Sequence, residues 1–103
     1  MSFYIFSKQH SYDGVAGFWK PNRNGYTNSI FEAGMYSREE AKEIVQEARG
    51  EEVAIHSWCF PALYFSVENK LRLHPNCIYT LRKIEEFLSS ISERKDFYIQ
   101  YEK

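Results

Sequence analysis

Between Phe18 and Ser37 the chain reads FWKPNRNGYTNSIFEAGMYS, which sets aromatic rings, turn formers and a helix start within twenty residues. No other stretch constrains the fold as much, because it marks three element boundaries in one run. Gly17-Phe18-Trp19-Lys20 fits a strand, and Pro21 ends it because proline cannot donate to a ladder. Asn22-Arg23-Asn24-Gly25 is a turn made of residues that tolerate left-handed backbone. Ser37-Arg38-Glu39-Glu40 is a capping box, in which a hydroxyl and a carboxylate satisfy the exposed N–H groups of a helix start. Tyr36 stands where a hydrophobic staple begins.

The rest of the chain falls into place around that run. Phe3-Tyr4-Ile5-Phe6 is a short run of strong strand formers. His10 to Gly14 is a turn, since Asp13-Gly14 takes the positive φ of a hairpin, so the 17–20 strand runs antiparallel to the first. Tyr26 to Phe31 is read as a third short strand. Ala41, Ile44, Val45 and Ala48 recur at helical spacing, with Glu39, Lys42, Glu43 and Glu47 outward, and Gly50 closes a helix over 38–49. Val53 to Trp58 returns to the sheet. Cys59 to Leu73 fits either a short helix from Pro61 or a hairpin turning at Glu68-Asn69-Lys70; its aromatic and β-branched content favours the hairpin. Asn76 is the expected N-cap of a second helix over 77–93, whose stripe is Ile78, Leu81, Ile84, Leu88 and Ile91. Asp96 to Tyr101 closes the chain as a strand with Phe97, Ile99 and Tyr101 on one face. The expectation is a single α+β domain over 1–103: an antiparallel β-sheet of about five strands with two helices packed on one face.

Composition narrows the function. At 103 residues the chain has room for one modest core, and 44% hydrophobic with 26% charged residues is ordinary for a globular protein. An aromatic fraction of 17% is not ordinary, and calls for a ring-rich core or an exposed aromatic surface. A net charge of −1 argues against a simple polyanion binder. Charge is nevertheless uneven: residues 1–30 carry +2, residues 31–52 carry −4 and residues 70–83 carry +4. Local patches of both signs suit a protein partner as well as nucleic acid. No leader and no apolar run near ~18 residues is visible, which points to a cytoplasmic protein without a membrane partner. Cys59 and Cys77 are read as reduced, buried residues.

The candidate binding surface is the aromatic loop. Phe18, Trp19 and Tyr26 lie with His10, Lys20 and Arg23, beside Tyr12, Asn22 and Asn24. Rings beside cations and amides would stack on a base and hold its phosphate. The same residue types dominate protein hot spots. The structural alternative is that Phe18 and Trp19 alternate, one ring entering the core and one shielding the sheet, with Tyr26 bridging a turn. His56-x-x-Cys59 and His74-x-x-Cys77 have ligand-like spacings that, with His10, would in principle form a metal site. Cys77 falls on the helix stripe and core rings flank both pairs, so no metal and no cofactor is expected. No phosphate loop, nucleophile elbow or metalloprotease motif is present. His10, Arg23, Tyr26 and Glu32 would suffice for a small nuclease, but such enzymes tend to be distinctly basic. Lys70, Arg72, His74, Arg82 and Lys83 form either one cationic face or a solvated surface.

Phe18-Trp19-Lys20-Pro21-Asn22, Gly25-Tyr26-Thr27, Glu32-Ala33-Gly34-Met35-Tyr36 and Glu40-Ala41, in this order, resemble a family of small proteins from bacteria, phages and prophages. The resemblance covers roughly residues 3–48. The chain departs from the pattern at Phe18, where a second Trp is more usual, and in its long extension beyond Trp58. The resemblance implies a mobile-element origin and carries no chemistry; small phage proteins of this size often bind and inhibit a host or defence protein. The expected function is therefore a non-catalytic binding protein that docks onto a host or defence macromolecule. A nucleotide or single-stranded nucleic-acid binder using the same loop is the alternative, ahead of a small hydrolase or nuclease. An unpaired edge at the first or last strand would be the route to a homodimer.

Overall fold

Phe3, Tyr4, Ile5 and Phe6 are all buried, and a strand with large side chains sealed on both faces must be covered on both. A computed structural model describes residues 2–57, 60, 64–67, 70–73 and 79–102. In chain order the elements are β1 (Ser2–Tyr12), β2 (Val15–Trp19), a 3-10 turn (Pro21–Arg23), β3 (Tyr26–Thr27), β4 (Tyr36–Ser37), α1 (Arg38–Ala48), β5 (Glu52–His56), β6 (Tyr64–Val67), β7 (Lys70–Leu73), α2 (Leu81–Ser90) and β8 (Tyr98–Ile99). The main sheet runs β3-β2-β1-β5-β8, with β4 paired to the start of β1. Every pairing in it is antiparallel. β6 and β7 form a separate antiparallel hairpin, as the reading of 59–73 favoured; the helix alternative at Pro61 lies outside the described residues.

The α+β class, the antiparallel sheet and the two helices are as expected, but the helices do not share a face. Phe3 and Ile5 of β1 and Ala54 of β5 pack with Ala41, Ile44 and Val45 of α1. Tyr4 and Phe6, with Val53 and Ile55, pack instead with Ile84 of α2, Ile91, Phe60 and Tyr79. Successive strand residues point to opposite sides, so these are two cores separated by one sheet. The physical reason is the unbroken apolar run in β1 and β5, which leaves no face for water. β1 is consequently the centre of the sheet and no edge, which removes it as a route to a dimer. The last strand, β8, does end the sheet.

Local chemistry explains most boundaries. Asp13 and Gly14, at φ 52° and 77°, form the two-residue turn between Tyr12 and Val15, where both central residues need positive φ. Ser37 Oγ accepts from Glu40 N and starts α1, which ends where Arg49 turns left-handed ahead of Gly50. The third strand stops at Thr27 rather than Phe31, because Thr27 Oγ1 accepts from Ser29 N and bends the chain away. α2 starts at Leu81 rather than 77. Thr80 caps it by accepting from Lys83 N, while Tyr79 O and Leu81 N are tied to Ala16 N and Gly14 O of the first hairpin. The Asn76 cap lies outside the described residues. β5 ends at His56, and Trp58 also lies outside them. Phe97 packs with the α2 core while Ile99 and Tyr101 pack with the α1 core, so the three do not share a face. Phe97 is still in the turn that precedes the strand, its N–H held by Arg94 O. No helix among the described residues is long and apolar enough to cross a membrane.

Candidate functional site

Trp19 and Tyr26 pair across β2 and β3 and so leave the sheet on the same side. That side is the one covered by α1, since Trp19 packs against the Phe3 and Ile5 core. Phe18 leaves on the other side, is fully buried, and meets Phe6 and Phe60 ring to ring. Its place in the contact set is therefore corrected: strand alternation sends one ring of the Phe18-Trp19 pair into the core, and it is Phe18. Trp19 is half-buried, with Tyr26 and Tyr36 edge-on to its ring.

His10 reaches this rim through a break in register between Ser7 and Tyr12. Ser11 Oγ donates to Ser7 O and accepts from Gly17 N, replacing ladder bonds that the bulge interrupts. Gly17 has to lack a side chain, since a Cβ there would sit 2.0 Å from His10 O. The His10 ring stacks on Tyr26, centroids 3.3 Å apart and nearly parallel. Its Nδ1 lies 3.0 Å from Ser7 Oγ, which also donates to Glu52 Oε1 at 3.2 Å. The serine has one proton. When it serves an ionised Glu52, a neutral His10 must carry its proton on Nδ1, leaving Nε2 as an acceptor.

Glu52 is only 3% exposed. Burial pushes its carboxyl up from 4.5 to about 7; Ser7 and the neighbouring Trp19 N–H pull it partly back, and Glu51 adds to the rise. Trp19 Nε1 and Glu52 Oε2 are both buried, and neither has a partner in full hydrogen-bond geometry among the described residues. Tyr26 is raised as well, first by burial and then by the charge of Glu52. Residue pattern concealed this polar row, because carboxylates are seldom buried and nothing beside Glu52 marks it as an exception. Ser7 and Glu52 are sealed from solvent, so neither meets a substrate.

The loop after Trp19 is held in an unusual shape. Asn22 and Arg23 both sit at φ 58°, a region costly for a residue with a Cβ. Tyr36 OH donates to Lys20 O and accepts from Arg23 N at 3.0 Å, while Lys20 N bonds Gly25 O. The Arg23 guanidinium lies 3.5 Å from Glu40, 3.3 Å from Glu43 and 3.8 Å from Glu47, one flank of α1. Arg23 is thus a tie between loop and helix. Arg23→Ala should lower Tm by a few degrees at most in low salt and by less in high salt, because the pairs are partly exposed; a thermal melt at two ionic strengths reads this.

The remaining loop doubles back along β2. Gly34 N donates to Trp19 O, and Gly34 is pressed on Pro21, where a Cβ would fall 2.6 Å from Cα. Thr27 Oγ1 donates to Glu32 Oε2, and Asn28 Nδ2 donates to Ala16 O on the strand edge. The nuclease quartet is therefore shared out: His10 with Tyr26 and Ser7, Arg23 with α1, Glu32 with Thr27. Among the described residues no His, Cys, Asp and Glu group is placed to hold a metal; Cys59, His74 and Cys77 lie outside them.

Asn22, Arg23, Asn24, Asn28 and Glu32 of the loop are exposed, and large hydrophobic side chains stand outward beside them and at the end of β1. Tyr12 is 62% exposed, Tyr26 42%, Phe31 39% and Met35 60%. Nothing in the sequence marks Phe31 and Met35 as contacts: Phe31 falls at the end of the expected third strand and Met35 within Glu32-Ala33-Gly34-Met35-Tyr36. Compared with known protein families, with curated proteins and with solved structures, the chain matches none of them.

Proposed function

We propose that the protein is a non-catalytic binding protein whose β2–β3 rim and returning loop dock onto a protein partner. One observation carries this reading: all the large hydrophobic side chains that stand exposed on the described surface fall between Tyr12 and Met35. Tyr12 stands at the Val15 end of β2 and Tyr26 at its Trp19 end, so the exposed groups are strung along this segment. Exposed apolar side chains with Tyr, Trp and arginine nearby are the residues of binding hot spots. The loop is also rigidly built, by Tyr36, by the Gly34–Pro21 contact and by the Arg23 pairs, which lowers the ordering cost of docking.

A protein partner is favoured over nucleic acid because Arg23, the loop's one arginine, already sits among three carboxylates. Stacking is also partly spent, since one face of Tyr26 is covered by His10. The contact set is Tyr26, Trp19, Lys20 and His10 with Phe31 and Met35, while Phe18 supports it from below. The mobile-element resemblance makes a host or defence protein the natural partner. Tyr26→Ala combined with Met35→Glu should abolish partner capture with a Tm change of only a degree or two, whereas Glu85→Lys on α2 should leave capture intact. Capture that survives the loop variant overturns the reading.

A further inference from the structure

Helix α1 carries opposite charges on its two flanks. Glu40, Glu43 and Glu47 turn to Arg23, while Arg38, Lys42 and Gln46, successive turns of the other flank, line a groove of about 530 Å³ beside β8. Lys95 closes the groove from the strand side, and Glu102 is the only carboxylate among its lining residues. Among the described residues, Arg38, Lys42 and Lys95 form no ion pair. The guanidinium of Arg38 is held over the Phe3 ring, 5.0 Å from its centroid.

The backbone of β8 adds a second feature. Phe97 O accepts from His56 N at 2.7 Å, and Ile99 is the partner of Ala54, so this parity of residues bonds to β5. In an antiparallel ladder the N–H and C=O of the alternate residue, Tyr98, then point away from the sheet, and Gln100, just past the end of β8, is the next residue of that parity. α1 has taken the outer carbonyls at either end: Arg38 Nη2 donates to Asp96 O at 3.0 Å and Gln46 Nε2 to Glu102 O at 3.1 Å. Between these clamps a short stretch of edge backbone at Tyr98 and Gln100 lies along the same groove as Lys42 and Lys95.

We infer that this groove takes a short extended peptide bearing carboxylates, which adds to β8 as a further strand and sets its acidic side chains against Lys42 and Lys95. The edge supplies main-chain bonds and the cations supply selection, which is how strand addition divides affinity from specificity. Charge complementarity alone would admit any anion; the outward N–H and C=O groups are what single out a peptide. The site lies on the opposite flank of α1 from the aromatic loop and does not depend on that loop's function.

The test is fluorescence anisotropy with a labelled, capped Val-Glu-Val-Asp-Val peptide. Controls are its Gln/Asn counterpart and two versions N-methylated at alternate residues in either register. The acidic peptide is expected to bind, and Lys42→Glu or Lys95→Glu, both at exposed positions, should each weaken it by about tenfold or more. N-methylation should abolish binding in one register only. No binding, equal binding of the uncharged peptide, tolerance of both methylated registers, or tighter binding of a single-stranded oligonucleotide that displaces the peptide would each overturn the inference.

Discussion

Phe18→Ala should cost about 3–5 kcal/mol in a chemical denaturation experiment, the range for emptying a phenylalanine site in a packed core. Phe18 is fully buried and is packed by Phe6 and Phe60 within the α2-side core, so alanine leaves a cavity bounded by rings that cannot collapse into it. Against a total stability of roughly 5–15 kcal/mol for a small domain, the loss is severe. Tyr26→Ala, eight residues on and 42% exposed, should by contrast stay near the small effect of a surface change. A Phe18 variant as stable as the parent would mean that this ring faces solvent, and the two-core description would fail with it.

The second large effect is a dependence of stability on pH through Glu52. Its folded carboxyl titrates near 7 against 4.5 in an ordinary setting, chiefly because burial disfavours the charged form. The folded state thus binds the proton more tightly than the unfolded chain. Stability linked to that proton is fully present below about pH 4.5 and is lost as pH rises through 7. Above that window the ionised carboxylate burdens the fold by an amount on the order of 3 kcal/mol. Glu52→Gln keeps the shape and removes the charge, so its stability relative to the parent should climb between pH 4.5 and 7 and then level off. The difference between variant and parent is the quantity to follow. His56, lowered first by burial and then by the positive N-terminus and Arg38, titrates in the opposite sense in both proteins and cancels. A flat difference across this range would show Glu52 to be solvated.

Much of this architecture was legible because it rests on local chemistry. Asp13-Gly14 and Ser37 with Glu40 act where they stand, through positive φ and a cap hydrogen bond, and the sequence pattern places both. Other features depend on contacts between distant segments. Asn76 and Thr80 are both good cap residues, and what starts α2 at Leu81 is the bonding of Tyr79 and Leu81 to the hairpin at residues 14–16. Alternation says that Phe18 and Trp19 diverge, but only the location of α1 and α2 decides which ring is sealed. The continuous run Phe3 to Phe6 carried the sign of burial on both faces, which the expectation of two helices on one face overlooked. Arg23 looked like a recognition cation for the same reason: Glu40, Glu43 and Glu47 read as a solvated helix face until the loop is folded against them.

The claim on which the functional account turns is that the outward apolar groups between Tyr12 and Met35 are a contact surface. Site-specific photo-crosslinking tests it most directly, with a photoreactive phenylalanine placed in turn at Tyr12, Tyr26, Phe31 and Met35, and at Arg82, Glu85 and Ser89 on α2, in cells that naturally produce the protein. The account predicts one defined protein adduct from the loop positions, strongest at Tyr26 and Met35, and none from the helix. Adducts of equal yield from both sets, or none from the loop, would contradict it.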